Sequence, residues 1–294
     1  MFKRFLQFIA ATYLGLAAFS GPALAEPGRV GMAYEKQLNF QAPATEVMHD
    51  IIWLHDVMMY IITLIVLLVM GLLLWVMIRY NHRANPIPAK TTHNTLLEMI
   101  WTIIPVLILV YIGVYNIKLL YKQDVIPEAD LVIEVTGHQW YWTYNYPDQD
   151  LEFDGFMLDR AFFDPDRSVE VQQQREAAIE DLRILLGRAG PIEIHRLLDT
   201  DTRVVVPVNT VVKVLVTADD VIHSWTIPAF GFKIDAVPGR TNEIWFNVEE
   251  VGTYYGQCSE LCGINHAFMP AVVEVVSRED FDAWVIRAKA PPAS

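Results

Sequence analysis

The stretch IIWLHDVMMYIITLIVLLVMGLLLWVMI, residues 51–78, is apolar along nearly its whole length. A helix needs about 20 such residues to cross the roughly 30 Å hydrocarbon core of a bilayer. A second apolar stretch, residues 96–120, meets the same requirement. The sequence therefore predicts that residues 51–123 form two transmembrane helices.

The segment between these stretches, residues 79–95, contains three basic residues and no acidic residue. Lysine and arginine accumulate in the cytoplasmic loops of membrane proteins. We therefore predict that this short loop is cytoplasmic. Both flanks, an N-terminal segment of residues 26–50 and a domain of residues 124–294, are predicted to lie on the outer side.

The first 25 residues have the form of an export signal. Lys3 and Arg4 precede an apolar run, and Ala23 and Ala25 provide the small residues of a cleavage site. Residues 1–25 are predicted to be a cleaved signal peptide, which agrees with an exported C-terminal domain. An uncleaved apolar anchor is the alternative.

The exported domain has the sequence pattern of an all-β fold. Short β-branched and aromatic runs, separated by Pro and Gly, are typical of a sandwich or small barrel. These runs are residues 131–136, 140–146, 203–207, 211–217, 242–248, 253–256 and 271–276. An inserted segment, residues 155–200, interrupts them, and its residues 168–188 are predicted to form a helix. A closing helix is predicted over residues 278–288.

The charge of this domain limits its partners. From Asp124 onward the chain contains 29 acidic and 13 basic residues. Such a surface repels nucleic acid and anionic lipid, and it attracts cationic proteins. We therefore expect no nucleic-acid partner. Acidity that only maintains solubility is the alternative to a cationic protein partner.

The segment CSELCGINHAFM, residues 258–269, contains both cysteines of the chain, followed by His266 and Met269. Thiolate, imidazole and thioether groups are selected by soft and borderline metals, and the methionine favours copper over zinc. Two thiolates in one loop could bridge a pair of copper ions. A disulfide is the alternative in an oxidising compartment, but it would leave the histidine and methionine unexplained.

His223 is the candidate ligand from a second strand. It follows the apolar run 211–217 and lies among Val221, Ile222 and Trp225. A lone histidine in such surroundings is usually a hydrogen-bonded core residue. Only its combination with the cysteine segment favours a metal ligand.

His223 and CSELCGINHAFM together resemble the CuA site of cytochrome c oxidase subunit II. Three other segments carry the same resemblance: GHQWYWTYNYP (137–147), WTIIP (101–105) and DAVPGR (235–240). The resemblance extends over nearly the whole chain after the predicted signal peptide. It implies a two-helix transmembrane hairpin followed by an all-β, cupredoxin-like Greek-key barrel.

The resemblance also implies a ligand set for a dinuclear copper centre. This set consists of two bridging thiolates, two imidazoles, a weak thioether and a backbone carbonyl, contributed by Cys258, Cys262, His223, His266, Met269 and Glu260. The side chain of Glu260 would also bind Mg²⁺ or Mn²⁺ at the contact with the catalytic subunit. Carboxylate oxygen suits such a hard ion.

An electron-entry surface is implied as well. Trp140 would receive electrons from reduced cytochrome c, whereas Trp142 would remain in the core. Three carboxylates would contact the lysines of cytochrome c: Asp154, Asp201 and Asp220. Asn145 departs from the family pattern, because this position is often Glu.

The resemblance implies an electron-transfer subunit of a respiratory oxidase in a bacterial inner membrane. Haem, oxygen reduction and proton pumping would belong to subunit I, and subunit III is a further expected partner. Glu98 would lie at the mouth of a proton-uptake path into subunit I. The alternatives are a quinol oxidase subunit that lacks CuA and a membrane-anchored copper chaperone.

Overall fold

A computed structural model describes residues 31–290, so the predicted signal peptide lies outside the described residues. Two compact units are present. One consists of Val47–Ile126, and the other combines the described residues before and after it.

The first unit contains two long helices, α1 (Glu46–Arg79) and α2 (Thr95–Asp124). Both are long and apolar enough to cross a membrane, which agrees with the two predicted spans. Asn94 caps α2, because its side chain accepts a hydrogen bond from the amide of Leu97 at 3.2 Å. Such a cap satisfies one of the amides that a helix leaves unpaired at its first turn.

Contacts between the two helices show that they run antiparallel. Lys122 Nζ, near the end of α2, lies 2.6 Å from Asp50 Oδ2, near the start of α1. The rings of Trp53 and Tyr115 pack at a centroid distance of 5.0 Å. The helices therefore form the predicted hairpin.

The second unit is an all-β domain with ten strands in the described part of the chain. The strands are β1 (Leu131–His138), β2 (Tyr141–Tyr146), β3 (Leu151–Gly155), β4 (Val204–Pro207), β5 (Val211–Ala218), β6 (His223–Ile227), β7 (Phe232–Ala236), β8 (Asn242–Asn247), β9 (Gly252–Gln257) and β10 (Pro270–Val276). All seven predicted runs form strands, whereas β3, β6 and β7 were not predicted.

The strands form a five-stranded sheet in the order β3-β2-β1-β5-β8, a three-stranded sheet β4-β10-β9 and the pair β6-β7. The pairs β1-β5 and β4-β10 are parallel. In β1 and β5 alternate side chains are buried, because one face of this sheet covers the core. Every residue of β10 is buried.

Both predicted helices of this unit are present. The inserted segment contains α3 (Val169–Leu186), which begins after the N-cap Ser168 and ends at Gly187 with φ of +67°. The closing helix α4 (Arg278–Ala288) has the predicted bounds. Its N-cap Ser277 accepts a hydrogen bond from the amide of Asp280 at 3.1 Å.

The segment before the first helix packs on the β domain, which the sequence did not indicate. The amide of Tyr255 donates a hydrogen bond to the carbonyl of Gly31 at 2.9 Å. At the other end of residues 31–45, the hydroxyl of Thr45 donates to the carbonyl of Phe230 at 2.8 Å. The N-terminal segment is therefore part of the same compact unit as the β domain.

A buried ionic cluster connects the inserted segment to strands β4 and β10. Arg203 is 3% exposed, and its guanidinium lies 2.6 Å from Asp199 and 2.9 Å from Glu274. Glu274 also accepts a hydrogen bond from the Thr253 hydroxyl at 2.8 Å and pairs with Arg188. Each buried carboxylate thus has a cationic partner, as burial of a charge requires.

Candidate metal centre

The cysteine loop connects the antiparallel strands β9 and β10. Its base is closed by a hydrogen bond of 2.9 Å from the amide of Cys258 to the carbonyl of Met269. The amide of Ser259 donates to the carbonyl of Ser224 in β6, also at 2.9 Å. The loop therefore lies against the start of β6, where His223 is located.

Four predicted ligands converge at this point. The Sγ atom of Cys258 lies 3.8 Å from Nδ1 of His223 and 3.7 Å from Sγ of Cys262. The Sγ atom of Cys262 is 3.6 Å from Nδ1 of His266. Candidate ligand atoms of His223, Cys258 and Cys262 all lie within 4.8 Å of one another, and these three residues are buried.

The remaining two predicted ligands are also next to the thiols or at the base of the loop. The backbone carbonyl of Glu260 is 3.3 Å from Sγ of Cys258. Met269 is 1% exposed and occupies the base of the loop. The carboxylate of Glu260, in contrast, belongs to an exposed residue.

The two cysteines are free thiols, so the disulfide alternative is wrong for this structure. Their sulfur atoms are 3.7 Å apart, whereas a disulfide bond requires about 2.05 Å. Soft sulfur and imidazole nitrogen donors in this arrangement fit copper.

The two thiols differ in acidity when no metal is bound. Burial opposes ionisation of Cys258, but hydrogen bonds with His223, with the backbone of Glu260 and Ser224, and with His266 together outweigh this effect and lower its pKa to about 6. Burial, together with the neighbouring Cys258 thiolate, raises the pKa of Cys262 to about 12. At neutral pH the site therefore already provides one thiolate.

The imidazole of His223 is held in a defined orientation. Its Nδ1 faces Cys258, and its Nε2 lies 2.9 Å from Oδ1 of Asp220. Asp220 also accepts a hydrogen bond from the amide of Gln139 at 2.7 Å. A carboxylate of this kind fixes the ring and tautomer of a metal-binding histidine.

Close packing against β1 also constrains His223. A Cβ atom at Gly137 would lie 2.9 Å from Cδ2 of the His223 ring, so only glycine allows this approach. The ring of Trp142, which is fully buried, packs edge-on against the same imidazole at a centroid distance of 5.8 Å. Trp142 is therefore a core residue, as predicted.

Two family models match the chain. "Cytochrome C oxidase subunit II, transmembrane domain" matches residues 33–119. "Cytochrome C oxidase subunit II, periplasmic domain" matches residues 131–179 and 188–276. The chain belongs to the cytochrome c oxidase subunit II family. Copper is the metal that this family implies, and the expected fold class, two apolar helices and a cupredoxin-like β domain, is confirmed.

Individual relatives agree with this family. A "Probable cytochrome c oxidase subunit 2" from Rickettsia bellii is 49% identical over 93% of this chain and 90% of its own length. The "Cytochrome c oxidase subunit 2" of Cereibacter sphaeroides is 46% identical over 85% of this chain and 80% of its own length. A solved structure, the periplasmic domain of subunit II of cytochrome oxidase of Bradyrhizobium japonicum, is 44% identical, with a TM-score of 0.44, over 56% of this chain and 97% of that one.

Trp140, which was predicted to receive electrons, lies beside the cysteine loop (residues 258–269), which is called the metal loop below. Its Nε1 donates a hydrogen bond to the carbonyl of Cys262 at 3.2 Å, and Nε2 of Gln139 donates to the same carbonyl at 2.8 Å. The Trp140 ring also approaches Gly263, where a Cβ atom would lie 3.1 Å from it. Half-buried Trp140 therefore connects the protein surface with the backbone of a candidate ligand.

The three acidic residues predicted to contact cytochrome c lie in two separate parts of the β domain, near Thr202 and near His223. Asp154 and Asp201 are exposed, and both contact the hydroxyl of Thr202, which donates to the carbonyl of Asp154 and lies 3.5 Å from Oδ1 of Asp201. Asp220 lies beside His223 at the candidate metal centre, where 34% of its side chain is exposed. The contact between Asp220 and His223 was not predicted from the sequence.

Asn145 has a structural explanation. Its side-chain amide donates a hydrogen bond to Oε2 of Glu134 at 2.8 Å, and it pairs across the sheet with Glu152. A glutamate at this position would face two carboxylates. Asparagine replaces that repulsion with a hydrogen bond.

Glu98 lies in the first turn of α2. One of its carboxylate oxygens accepts a hydrogen bond from the amide of Asn94 at 3.2 Å. Together with the Asn94 cap, this contact stabilises the start of the helix. The Glu98 carboxylate therefore has a structural role at the start of α2, as the acceptor for the Asn94 amide.

Proposed function

We propose that this chain is the electron-transfer subunit of a haem–copper terminal oxidase. It would accept electrons one at a time from reduced cytochrome c and pass them to a haem in subunit I, where oxygen is reduced with proton pumping. The convergence of two free, buried thiols with two imidazoles supports this proposal most directly.

The proposed centre is a dinuclear copper site. Cys258 and Cys262 would bridge the metals, and each of His223 and His266 would bind one. When bound, such a copper pair would supply a centre that accepts and releases one electron at a time. The residues of the chain contribute rigidity, because the sulfur atoms and the ring of His223 are enclosed in the core.

Trp140 is proposed as the entry point for electrons. Its hydrogen bond to the Cys262 carbonyl provides a short path from the surface to a bridging ligand. Asp154, Asp201 and Asp220 would attract the lysines of cytochrome c. Because long-range attraction between charged proteins is screened by salt, the association rate should fall as ionic strength rises.

The contact with subunit I, which would accept the electrons, is proposed to lie at the tip of the metal loop. The exposed carboxylate of Glu260 would bind Mg²⁺ or Mn²⁺ at the contact with subunit I, because carboxylate oxygens suit these ions. Its backbone carbonyl lies beside Cys258, so one residue would connect the copper centre with the subunit interface. Subunit III is the further partner in this proposal.

The proposed location is a bacterial inner membrane, with both the N-terminus and the β domain in the periplasm. Residues 31–45 pack on the β domain, which supports placing both flanks of the hairpin on one side. The basic loop 79–95 would then be cytoplasmic. Glu98, at the cytoplasmic end of α2, would lie at the start of a proton-uptake path into subunit I.

The two rival functions are not favoured. A quinol oxidase subunit would lack CuA, whereas this chain retains both thiols and both imidazoles. A membrane-anchored copper chaperone has a thioredoxin-like domain and one anchor, whereas this chain has a two-helix hairpin and belongs to the subunit II family.

Electron paramagnetic resonance combined with copper analysis tests the proposal. We expect two coppers per chain and a hyperfine pattern with the additional lines of an electron shared equally by two copper nuclei. A single copper per chain with the simpler pattern of an isolated ion would overturn the dinuclear assignment. Reduction of the centre by cytochrome c, measured in the intact complex, tests the donor.

A further inference from the structure

The inserted segment contacts the metal loop directly. The guanidinium of Arg160 lies over the ring of Phe268, with Cζ 4.2 Å from the ring centroid. Phe268 ends the short 3-10 helix His266–Phe268. It therefore lies between the candidate ligands His266 and Met269.

The position of Arg160 is fixed by its own segment. It begins the 3-10 helix Arg160–Phe163, which is capped by a hydrogen bond of 2.8 Å from the amide of Ala161 to the side chain of Asp159. Just before it, the amide of the buried Leu158 donates to the carbonyl of Asp199 at 3.0 Å. Arg160 thus belongs to a turn whose backbone is stabilised by hydrogen bonds on its N-terminal side.

The far end of the inserted segment also reaches the metal loop. The side-chain amide of Gln257, the residue before Cys258, donates to the carbonyl of Leu197 at 3.2 Å. The inserted segment therefore contacts both the strand that enters the loop and the turn that leaves it.

The two halves of the metal loop, residues 258–263 and 264–269, differ in their hydrogen bonds to the rest of the domain. The first half, which contains Cys258, is bonded to β6 through the amide of Ser259 and the carbonyl of Ser224. In the part of the chain that the structure describes, the hydrogen bonds of residues 264–268 go only to other loop residues, such as the bond from the amide of Phe268 to the carbonyl of Asn265 at 2.8 Å. The stacking of Arg160 on Phe268 thus supplies an external contact to the half that carries His266.

We propose that Arg160 is a positioning residue, which holds the His266–Met269 half of the metal loop in place through a cation–π contact with Phe268. The functional consequence of this contact rests on the proposed function, whereas the contact between Arg160 and Phe268 forms without copper. A cation over an aromatic ring at an exposed site shifts a local equilibrium by about two- to fivefold. That factor sets the expected effect.

Hydrogen exchange of the metal-free full chain in detergent tests this role. In Arg160→Gln, the hydrogen-bonded amides of His266 and Phe268 should exchange about two- to fivefold faster than in the parent chain. Arg160→Lys retains a cation and should restore slow exchange. Arg196→Gln, which removes an exposed arginine from the same segment, should leave these amides unchanged.

A double-mutant cycle distinguishes the cation–π contact from a general effect of charge. In a Phe268→Leu background, Arg160→Gln should cause no further acceleration. Equal acceleration in both backgrounds, or unchanged exchange in Arg160→Gln alone, would overturn the inference.

Spectra of the copper-loaded chain provide a second measurement. Arg160→Gln should alter the hyperfine pattern, because His266 is less well oriented, and Arg160→Lys should restore it. If the parent chain binds no copper while the exchange results hold, the proposed function fails and the positioning role stands. If copper binds normally and exchange does not respond, only the positioning role fails.

Discussion

Replacing Arg203 with methionine should destabilise the β domain strongly, because this guanidinium neutralises two buried carboxylates. Its nitrogens lie 2.6 Å from Asp199 and 2.9 Å from Glu274, both of which are at most 1% exposed. Removing one partner of a buried ionic group typically costs about 3–5 kcal/mol, because the remaining charge is left without compensation.

The remaining contacts place the expected cost at the lower end of this range. Glu274 retains Arg188 and the Thr253 hydroxyl, and Asp199 retains the amide of His195 at 2.6 Å. We therefore expect Arg203→Met to lower the free energy of unfolding by about 3 kcal/mol. With an m-value of about 2 kcal/mol/M, the urea midpoint would fall by about 1.5 M.

The measurement is urea unfolding of the full chain in detergent, followed by near-ultraviolet circular dichroism. Lys213→Met is the matched control, because Lys213 forms an ion pair of 2.9 Å with Glu243 that is partly exposed on both sides. Such a pair contributes at most about 1 kcal/mol. Equal losses in the two variants would refute the reasoning.

Acidification provides a second test of the same cluster. Burial raises the pKa of Asp199 above its ordinary value, and the charge of Arg203 opposes that rise. The folded state therefore binds this proton more tightly than the unfolded state, and folding gains stability as pH falls through the folded pKa. In Arg203→Met the pKa should rise further, so the stability difference between variant and parent should narrow as the solution is acidified.

Three further predictions concern the metal centre. Trp140→Gln should slow reduction by cytochrome c in stopped-flow measurements without changing the copper spectrum, because glutamine retains a donor for the Cys262 carbonyl. Gly137→Ala should displace the His223 ring, which a Cβ atom would approach to 2.9 Å, and copper analysis should show a lower metal content. In the metal-free chain at pH 7, iodoacetamide should modify Cys258 before Cys262, because their pKa values are about 6 and about 12.

Each of these predictions has a result that would contradict it. Loss of copper in Trp140→Gln would show that this residue has a packing role. Gly190→Ala is the control for Gly137→Ala, since a Cβ atom at Gly190 would meet nothing within 4 Å. An equal loss of copper in both glycine variants would argue against displacement of His223. Peptide mass spectrometry that finds Cys262 labelled first would contradict the order of thiol acidity.

The sequence predicted those elements whose formation depends on neighbouring residues, namely on hydropathy, length and helix caps. Length and hydropathy predicted both membrane helices, and the Ser277 cap gave the bounds of α4. In contrast, β6 was missed because its five residues, His223–Ile227, are all buried and therefore lack the alternation of a strand with one exposed face. The polar strand β3, Leu151–Gly155, was missed because it lacks a β-branched run.

The cysteine, histidine and methionine ligands were predicted because their residue types and spacing are unusual in combination, whereas the Glu260 carbonyl was implied only by the family resemblance. Their surroundings were not predictable in this way. The bond of Asp220 to His223 requires the turn before β6, and the contact of Arg160 with Phe268 joins residues that are more than 100 positions apart. Such contacts depend on tertiary packing, which a local pattern does not encode.

The docking of residues 31–45 on the β domain has a consequence for biosynthesis. This segment leaves the ribosome before either helix, yet its partners, Phe230 and Tyr255, are synthesised about 200 residues later. At an elongation rate of about 5–20 residues per second, the segment waits on the order of ten seconds or more for them. During this interval both transmembrane helices are made, so residues 31–45 can meet their native partners only after the whole hairpin has been synthesised.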